Sequence, residues 1–357
     1  MPPSTASIAS LADHLALLWS TYPAALVGDT TRTEIAALSR ALHGELIHNP
    51  FIVECPLGIP DAVADFSIAV RGNDERPPRV PLLSGHPESH ALCTQPSWQR
   101  IEGFAQTWAQ SWSAGHRGLR ELWLEFDLPS PQRDVPLPNL FFGGPLGDSF
   151  ARNDSFAKNA EQIVTDLTGQ APSGAFSMRF RDLLSKLPAR GFVYQIGILG
   201  TRGSAALRLC LHLPQPELII QYLKTIGCDP VLTERVEAQI EHVRSYFDLY
   251  LLHLDVAEDL GATIGVECFQ RYHKQPTADA RWEQAMEQLV QRQLCTRSKA
   301  VGLLAFPSSS TYWSPLLGAE SPTYTSQRCI DHLKFIVEDK QPTRLKAYLS
   351  HQLIAAP

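Results

Sequence analysis

The stretch HLKFIVEDKQPTRLKAYLSHQ, residues 332–352, places its chemistry at every second position. His332, Lys334 and Ile336 alternate with Leu333, Phe335 and Val337. After a turn around 339–342, Arg344, Lys346 and Tyr348 alternate with Leu345, Ala347 and Leu349. Successive side chains of a strand point to opposite faces, so this is a hairpin with one apolar face and one face of cations and a phenol. A face that met only water would carry short hydroxyls and scattered charge. Lys, Arg and Tyr gathered on one side imply that this face looks into a cavity.

The same alternation recurs four times upstream. FIVECPLGIPDAVADFSIAV (51–70) sets Asp65, Ser67, Ala69 and then Arg71 against Phe66, Ile68 and Val70. RELWLEFDLP (120–129) sets Glu121, Trp123, Glu125 and Asp127 against four apolar residues, with NLFFGG (139–144) as its partner. GFVYQIGILG turns into AALRLCLHLP, where Arg208, Cys210 and His212 oppose leucines. YLLHLDVAEDLGATIGVECFQ (250–270) sets Leu251, His253 and Asp255, then Gly265, Glu267 and Phe269, on one side. The polar faces thus hold the bases Arg71, Arg208, Lys334, Arg344 and Lys346 and the acids Asp65, Glu121, Glu125, Asp127, Asp255 and Glu267.

Several of these residues admit two readings. Glu121, Glu125 and Asp127 form either a proton-handling cluster or a wet rim, since crowded like charges are costly in a dry interior. Asp65 is either a functional carboxylate or an ion-pair partner of Arg71. His212 and His253 occupy equivalent positions and could meet across strands, but no spacing here makes a recognisable metal motif. Trp98, Trp108 and Trp112 fall at helical spacing and read as packing. GxSxG, P-loop and HExxH motifs are absent, and no GxGxxG follows a strand.

Between the hairpins the period becomes helical: 7–20 and 31–47, then 97–114, then 153–168 and 178–187. PQPELIIQYLKTIG and VLTERVEAQIEHVRSYF follow, and ARWEQAMEQLVQRQLC with a weaker patch at 297–303 comes last. The proline- and serine-rich runs 72–95 and 306–328 read as long loops. Helices then a hairpin, five times over, predict an α+β fold of one domain spanning 1–357, with hairpins near 51–71, 120–143, 191–213, 250–270 and 332–350. Ten antiparallel strands with one polar face each are best accommodated in a closed barrel, which removes sheet edges and makes the polar faces a lumen. Helices outside cover the apolar faces.

Composition narrows the function. A net charge of −6 excludes a general nucleic-acid binder. No run is long enough to span a membrane, and the first residues lack a basic region followed by an apolar one. Seven scattered cysteines without a CxxC pair fit a reduced, cytoplasmic protein.

Five ααββ units closing a ten-stranded barrel resemble the prenyltransferase barrel, or ABBA fold, of soluble aromatic prenyltransferases. VADFSIAV (63–70) is similar to an early strand that in one branch of the family carries a metal-binding Asp, here Asp65. AALRLCLHLPQPELIIQYLKTIG resembles the family's strand–helix step in layout. RLKAYLS (344–350) resembles the late strand whose Lys and Tyr face the isoprenoid diphosphate, here Lys346 and Tyr348. The resemblance implies transfer of an isoprenoid from an allylic diphosphate to an indole, a phenol or a Trp-containing peptide in secondary metabolism. Arg208, Lys334, Lys346 and Tyr348 would hold the diphosphate, with Asp65 acting through Mg²⁺ or a hydrogen bond. Glu125 or Glu267 would accept the proton, and Trp123 and His253 would line the substrate site. The chain departs from the family in one respect: its second hairpin offers acids instead of a cation, so charge pairing opposes diphosphate binding. That departure favours two alternatives. One is a non-catalytic barrel binding a peptide or small molecule as an accessory protein in peptide natural-product biosynthesis; the other is an acid–base cyclase or isomerase.

Overall fold

The computed structural model describes residues 10–72, 77–78, 80–110, 119, 121–128, 136–143, 154–200, 206–270, 275–313 and 323–355. Helix pairs and strand pairs alternate along them. Helices α1 (Leu11–Leu18) and α2 (Asp29–Ala41) precede strands β1 (Phe51–Pro56) and β2 (Asp65–Arg71). Next come α3 (Pro87–Cys93) and α4 (Pro96–Gln110) with β3 (Glu121–Phe126) and β4 (Asn139–Gly143). The third unit is α5 (Asp154–Thr168), α6 (Gly174–Ser185), β5 (Phe192–Ile198) and β6 (Leu207–His212). The fourth is α7 (Pro216–Thr225), α8 (Pro230–Val243), β7 (Leu249–Val256) and β8 (Leu260–Phe269). The last is α9 (Arg281–Gln291), α10 (Arg297–Ala305), β9 (Ser308–Trp313), β10 (Thr323–Glu338) and β11 (Arg344–Ala355).

Local chemistry sets the helix ends. Ser10 and Asp13 form a reciprocal capping box on α1. Proline stands in the first turn of α7 and α8, where its missing N–H costs nothing, and the Asp229 side chain accepts the Leu232 N–H at 2.9 Å. Gly227, at φ +77°, ends α7 in the left-handed conformation that favours glycine.

Strands β1 to β8 pair in sequence, β8 pairs with the second half of β10, β10 with β11, and β11 with β1. That is a closed antiparallel ring of ten strands, sealed by the register Phe51↔His351 to Pro56↔Lys346. The core lies between this ring and the helices. Leu333, Phe335 and Val337 of β10 face outward and are at most 1% exposed, and each such burial stabilises by about 2 kcal/mol. Trp98 and Trp108 are buried with the same core, which settles them as packing residues; Trp112 lies outside the described residues. Among the described residues no helix is long and apolar enough to cross a membrane.

Two expected loops hold structure. In 306–328, β9 pairs with Thr323–Arg328 of β10 and stands outside the ring. Its Ser309, Ser310 and Thr311 are exposed, so the segment has no apolar alternation to betray a strand. The run 72–95 contains the short α3, which begins at Pro87 with Ser89 Oγ donating to the His86 carbonyl at 2.7 Å.

Candidate ligand site in the barrel lumen

Strand register brings cations and carboxylates together inside the barrel. Arg71 stands opposite Glu121, Arg208 opposite Asp255, and Lys334 opposite Glu267. The Arg71–Glu121 pair closes to 2.8 Å, and Gln195 donates to the same carboxylate at 2.8 Å. Arg208 grips Asp255 with two bonds of 2.7 and 2.9 Å. At the rim, Arg344 meets Glu338 at 2.6 Å.

Register also forces like charges together. Glu54 stands opposite Asp65, and Lys346 opposite Lys334, arrangements that repel unless bridged. Lys346 is the bridge: its ammonium bonds Glu54 and lies 3.2 Å from Asp65. Burial would raise the Glu54 carboxyl, yet Lys346 holds it below its ordinary value. Burial pushes Asp65 up to about 6, with Lys346 opposing and Glu54 adding to the rise. The other Asp65 oxygen accepts the Leu128 N–H at 2.9 Å. Asp65 therefore pairs with Lys346, and Arg71 pairs with Glu121.

Lys334 belongs to a second network centred on Glu267. One Glu267 oxygen lies 2.8 Å from His253 Nε2, 3.3 Å from His332 Nε2 and 3.3 Å from Lys334 Nζ. These neighbours outweigh burial and hold Glu267 well below the usual carboxylate range. Burial pulls His253 down to about 4, so the ring is neutral at pH 7. Its Nδ1 lies 3.0 Å from the Lys334 ammonium, which can only donate, so Nδ1 is the acceptor there. Burial opposes charge on His332 as well, but Glu267 and Asp331 raise it to about 9. His332 Nδ1 lies 2.7 Å from Asp331 and its ring stacks on Tyr348 at 4.0 Å. His212 does not meet His253: it stacks on Phe192, and the β6 neighbour of His253 is Cys210.

These networks border two adjoining spaces. A polar chamber of about 320 Å³ is lined by Arg208, Lys334, Arg344, Lys346 and Tyr348, with Glu54, Glu125, Asp255 and Glu338 among them. An aromatic chamber of about 100 Å³ is walled by Trp123, Phe141, Tyr194, Phe269 and Tyr348, with Glu125, Glu267, Asp331 and His332. Glu125, His253, Lys334 and Tyr348 border both. A larger space of about 490 Å³ is an open surface groove between α7 and α8, lined by Ile220, Glu237 and Ile240 and remote from these groups.

Two β-bulges build the aromatic chamber. The register slips between Val193 and Gln195 in β5 and between Ile330 and His332 in β10. A bulge turns consecutive residues toward one side, so Tyr194 and Gln195, and Asp331 and His332, line the chamber as adjacent pairs.

All the sequence-predicted residues thus cluster in the lumen: Arg208, Lys334, Lys346, Tyr348, His253 and Glu125 at the polar chamber, Trp123 and Glu267 at the aromatic one, and Asp65 behind Lys346. Glu54 was missed although its strand alternates Ile52 and Glu54 with Phe51 and Val53. Tyr194 and Asp331 lie at bulges, where alternation gives no signal. Among the described residues no group of three His, Cys, Asp or Glu side chains could hold a metal ion. The Lys346 ammonium already lies between the two carboxylates a cation would use. This donor set does not fit Mg²⁺ at Asp65.

No protein-family model matches the sequence, and no curated protein matches it. Solved structures do. PriB in its binary complex with product diphosphate is 13% identical over 96% of both chains, with a TM-score of 0.50. The 5-dimethylallyltryptophan synthase from Streptomyces coelicolor is 14% identical, covering 96% of this chain and 97% of its own, with a TM-score of 0.48. The PriB likeness identifies the fold.

Proposed function

From a chain that folds as a prenyltransferase barrel, we propose that the lumen transfers an isoprenoid group from an allylic diphosphate to an aromatic acceptor: an indole, a phenol or a Trp-containing peptide. The observation that carries this reading is the meeting of a chamber holding four Lys/Arg head groups with a chamber walled by aromatic rings, joined at Tyr348 and Lys334. Charge-assisted bonds from Arg208, Lys334, Arg344 and Lys346 would hold the diphosphate, with Tyr348 beside them. The allylic C–O bond breaks with both electrons leaving on the diphosphate. The aromatic acceptor attacks the resulting cation, whose charge the faces of Trp123, Phe269 and Tyr348 would stabilise. Glu125, bordering both chambers, would take the proton that the acceptor releases. Glu267 suits that role poorly, because a carboxylate held well below its usual range is a weak base.

A second reading rests on a separate observation. Each of these four cations is already bonded to a carboxylate, and such a lumen opposes the entry of a strongly negative group. It favours a barrel that binds a peptide or small molecule without ionising it, or one that isomerises a substrate by acid–base chemistry. Isothermal titration with dimethylallyl and geranyl S-thiolodiphosphate, with and without Mg²⁺, decides between them. Transfer predicts binding that Lys346→Met and Arg208→Gln abolish. A folded wild-type chain that binds neither compound removes the transferase reading and leaves the second.

A further inference from the structure

Among the described residues, Gly197 and Gly265 are lumen positions without a side chain, and each lies between side chains that need the space. Gly197 of β5 stands opposite Phe141 of β4 and opposite Arg208 of β6. A Cβ there would fall 2.5 and 2.8 Å from Phe141 ring carbons and 3.1 Å from Arg208 Cβ. Gly265 of β8 stands opposite His253, and its Cβ would fall 2.9 Å from Lys334 Cε and 3.0 Å from His253 Cβ. Neither glycine has the positive φ that would call for glycine on backbone grounds, so space is what each position supplies.

The neighbours have no easy retreat. Phe141 is packed with Leu199 and Cys210 and carries Trp123 against it, so a Cβ at 197 drives its ring into the 100 Å³ aromatic chamber. Lys334 is held by His253 at 3.0 Å and Glu267 at 3.3 Å, so a Cβ at 265 displaces its stem from the polar chamber.

We infer that Gly197 and Gly265 are the specificity-determining positions of the lumen: Gly197 sets the width open to the acceptor's ring system, and Gly265 sets the reach of Lys334 toward an anionic group. The inference rests on the reading of the lumen as a site for an aromatic acceptor and an anionic partner.

The test is isothermal titration of phenol, 1-naphthol and dimethylallyl S-thiolodiphosphate into wild type, Gly197→Ala, Gly265→Ala and the double variant Gly197→Ala/Phe141→Leu, with folding checked by circular dichroism. One methyl group in a tight apolar pocket changes affinity by about tenfold or more. Gly197→Ala is expected to weaken naphthol by at least about that factor while phenol stays within about threefold. Phe141→Leu should then restore naphthol, because it returns the room. Gly265→Ala should show the reverse selectivity, losing thiolodiphosphate and keeping naphthol. Equal loss of both aromatic probes, no loss of either, or no rescue by Phe141→Leu overturns the assignment. So does a double variant that fails to fold, since the clash would then lie with the backbone. Wild type that binds no aromatic probe rejects the reading of the lumen itself, an outcome distinct from wild-type binding that the glycine variants leave unchanged.

Discussion

The polar and aromatic chambers share a barrel but are built by different rules. The polar chamber follows strict alternation: Arg208, Lys334, Arg344, Lys346 and Tyr348 all stand where the period of two puts them. The aromatic chamber departs from alternation twice, at the bulges bearing Tyr194–Gln195 and Asp331–His332. It also needs the open space at Gly197 for Phe141 to lie back. In the polar chamber cohesion comes from charge pairs set by strand register. In the aromatic chamber it comes from ring packing plus one imidazolium, His332, held between two carboxylates. A chamber held by paired charges fails when one partner is removed. A chamber held by shape fails when a carbon is added.

Each chamber should respond to its own kind of substitution, and the largest effect is expected at Lys346. Lys346→Met leaves the buried Glu54 and the half-buried Asp65 face to face without a counter-charge, which should cost roughly 3–5 kcal/mol in urea unfolding. Adding Glu54→Gln should recover most of that loss. A single variant as stable as wild type would show that register pairing does not hold the polar chamber together.

The next effect is a pH dependence belonging to the aromatic chamber. His332 has a folded pKa of about 9 against an ordinary 6.5, so its stabilising contribution is complete below pH 6.5 and is lost as pH rises toward 9. Its size is on the order of 3 kcal/mol. The cited shifts of His253 and Asp65 act below pH 6.5, which leaves the alkaline window to His332 among them. The buried thiols of Cys55 and Cys329, pushed up to about 12 and about 11, lose stability only as pH nears 9, so urea midpoints at pH 6 and pH 8 should separate in wild type and much less in His332→Gln. A His332→Gln variant with the full wild-type pH dependence would assign the effect to another group.

Smaller losses are expected at Gly265. The alanine variant crowds Lys334 and His253 and should cost about 1–3 kcal/mol, as overpacking does elsewhere. Smallest of all is Arg344→Gln. That pair sits at the rim with the Arg344 side chain 55% exposed, and exposed pairs contribute about 0–1 kcal/mol. Its effect should shrink further in 1 M salt, where the Debye length is about 3 Å. A loss at Arg344 rivalling that at Lys346 would erase the distinction between rim and lumen.

Legibility in the sequence followed the same division. The five hairpins, their apolar faces and the helices between them were readable because each depends on short-range periodicity. So were nine lumen residues, from Asp65 to Tyr348, because they stand in uninterrupted alternating runs. Glu54 had the signal but sat beside the stronger one of Asp65 and Arg71. Asp331 and Tyr194 had none, since a bulge adds one residue and shifts the phase of all that follows. β9 was unreadable for another reason: its exposed serines and threonine leave no apolar face.

Away from the two bulges, the order of residues is enough to say which side chains turn inward and which turn toward the helices, since that depends only on spacing along one strand. It also determined that the inward faces carry both signs of charge. Which inward groups meet follows from the closed fold alone. Lys346 lies 292 positions from Glu54 and 281 from Asp65 along the chain, and nothing in either segment names the other. Ring closure between β1 and β11 brings them together, and the need to neutralise buried charge makes that meeting an ion pair.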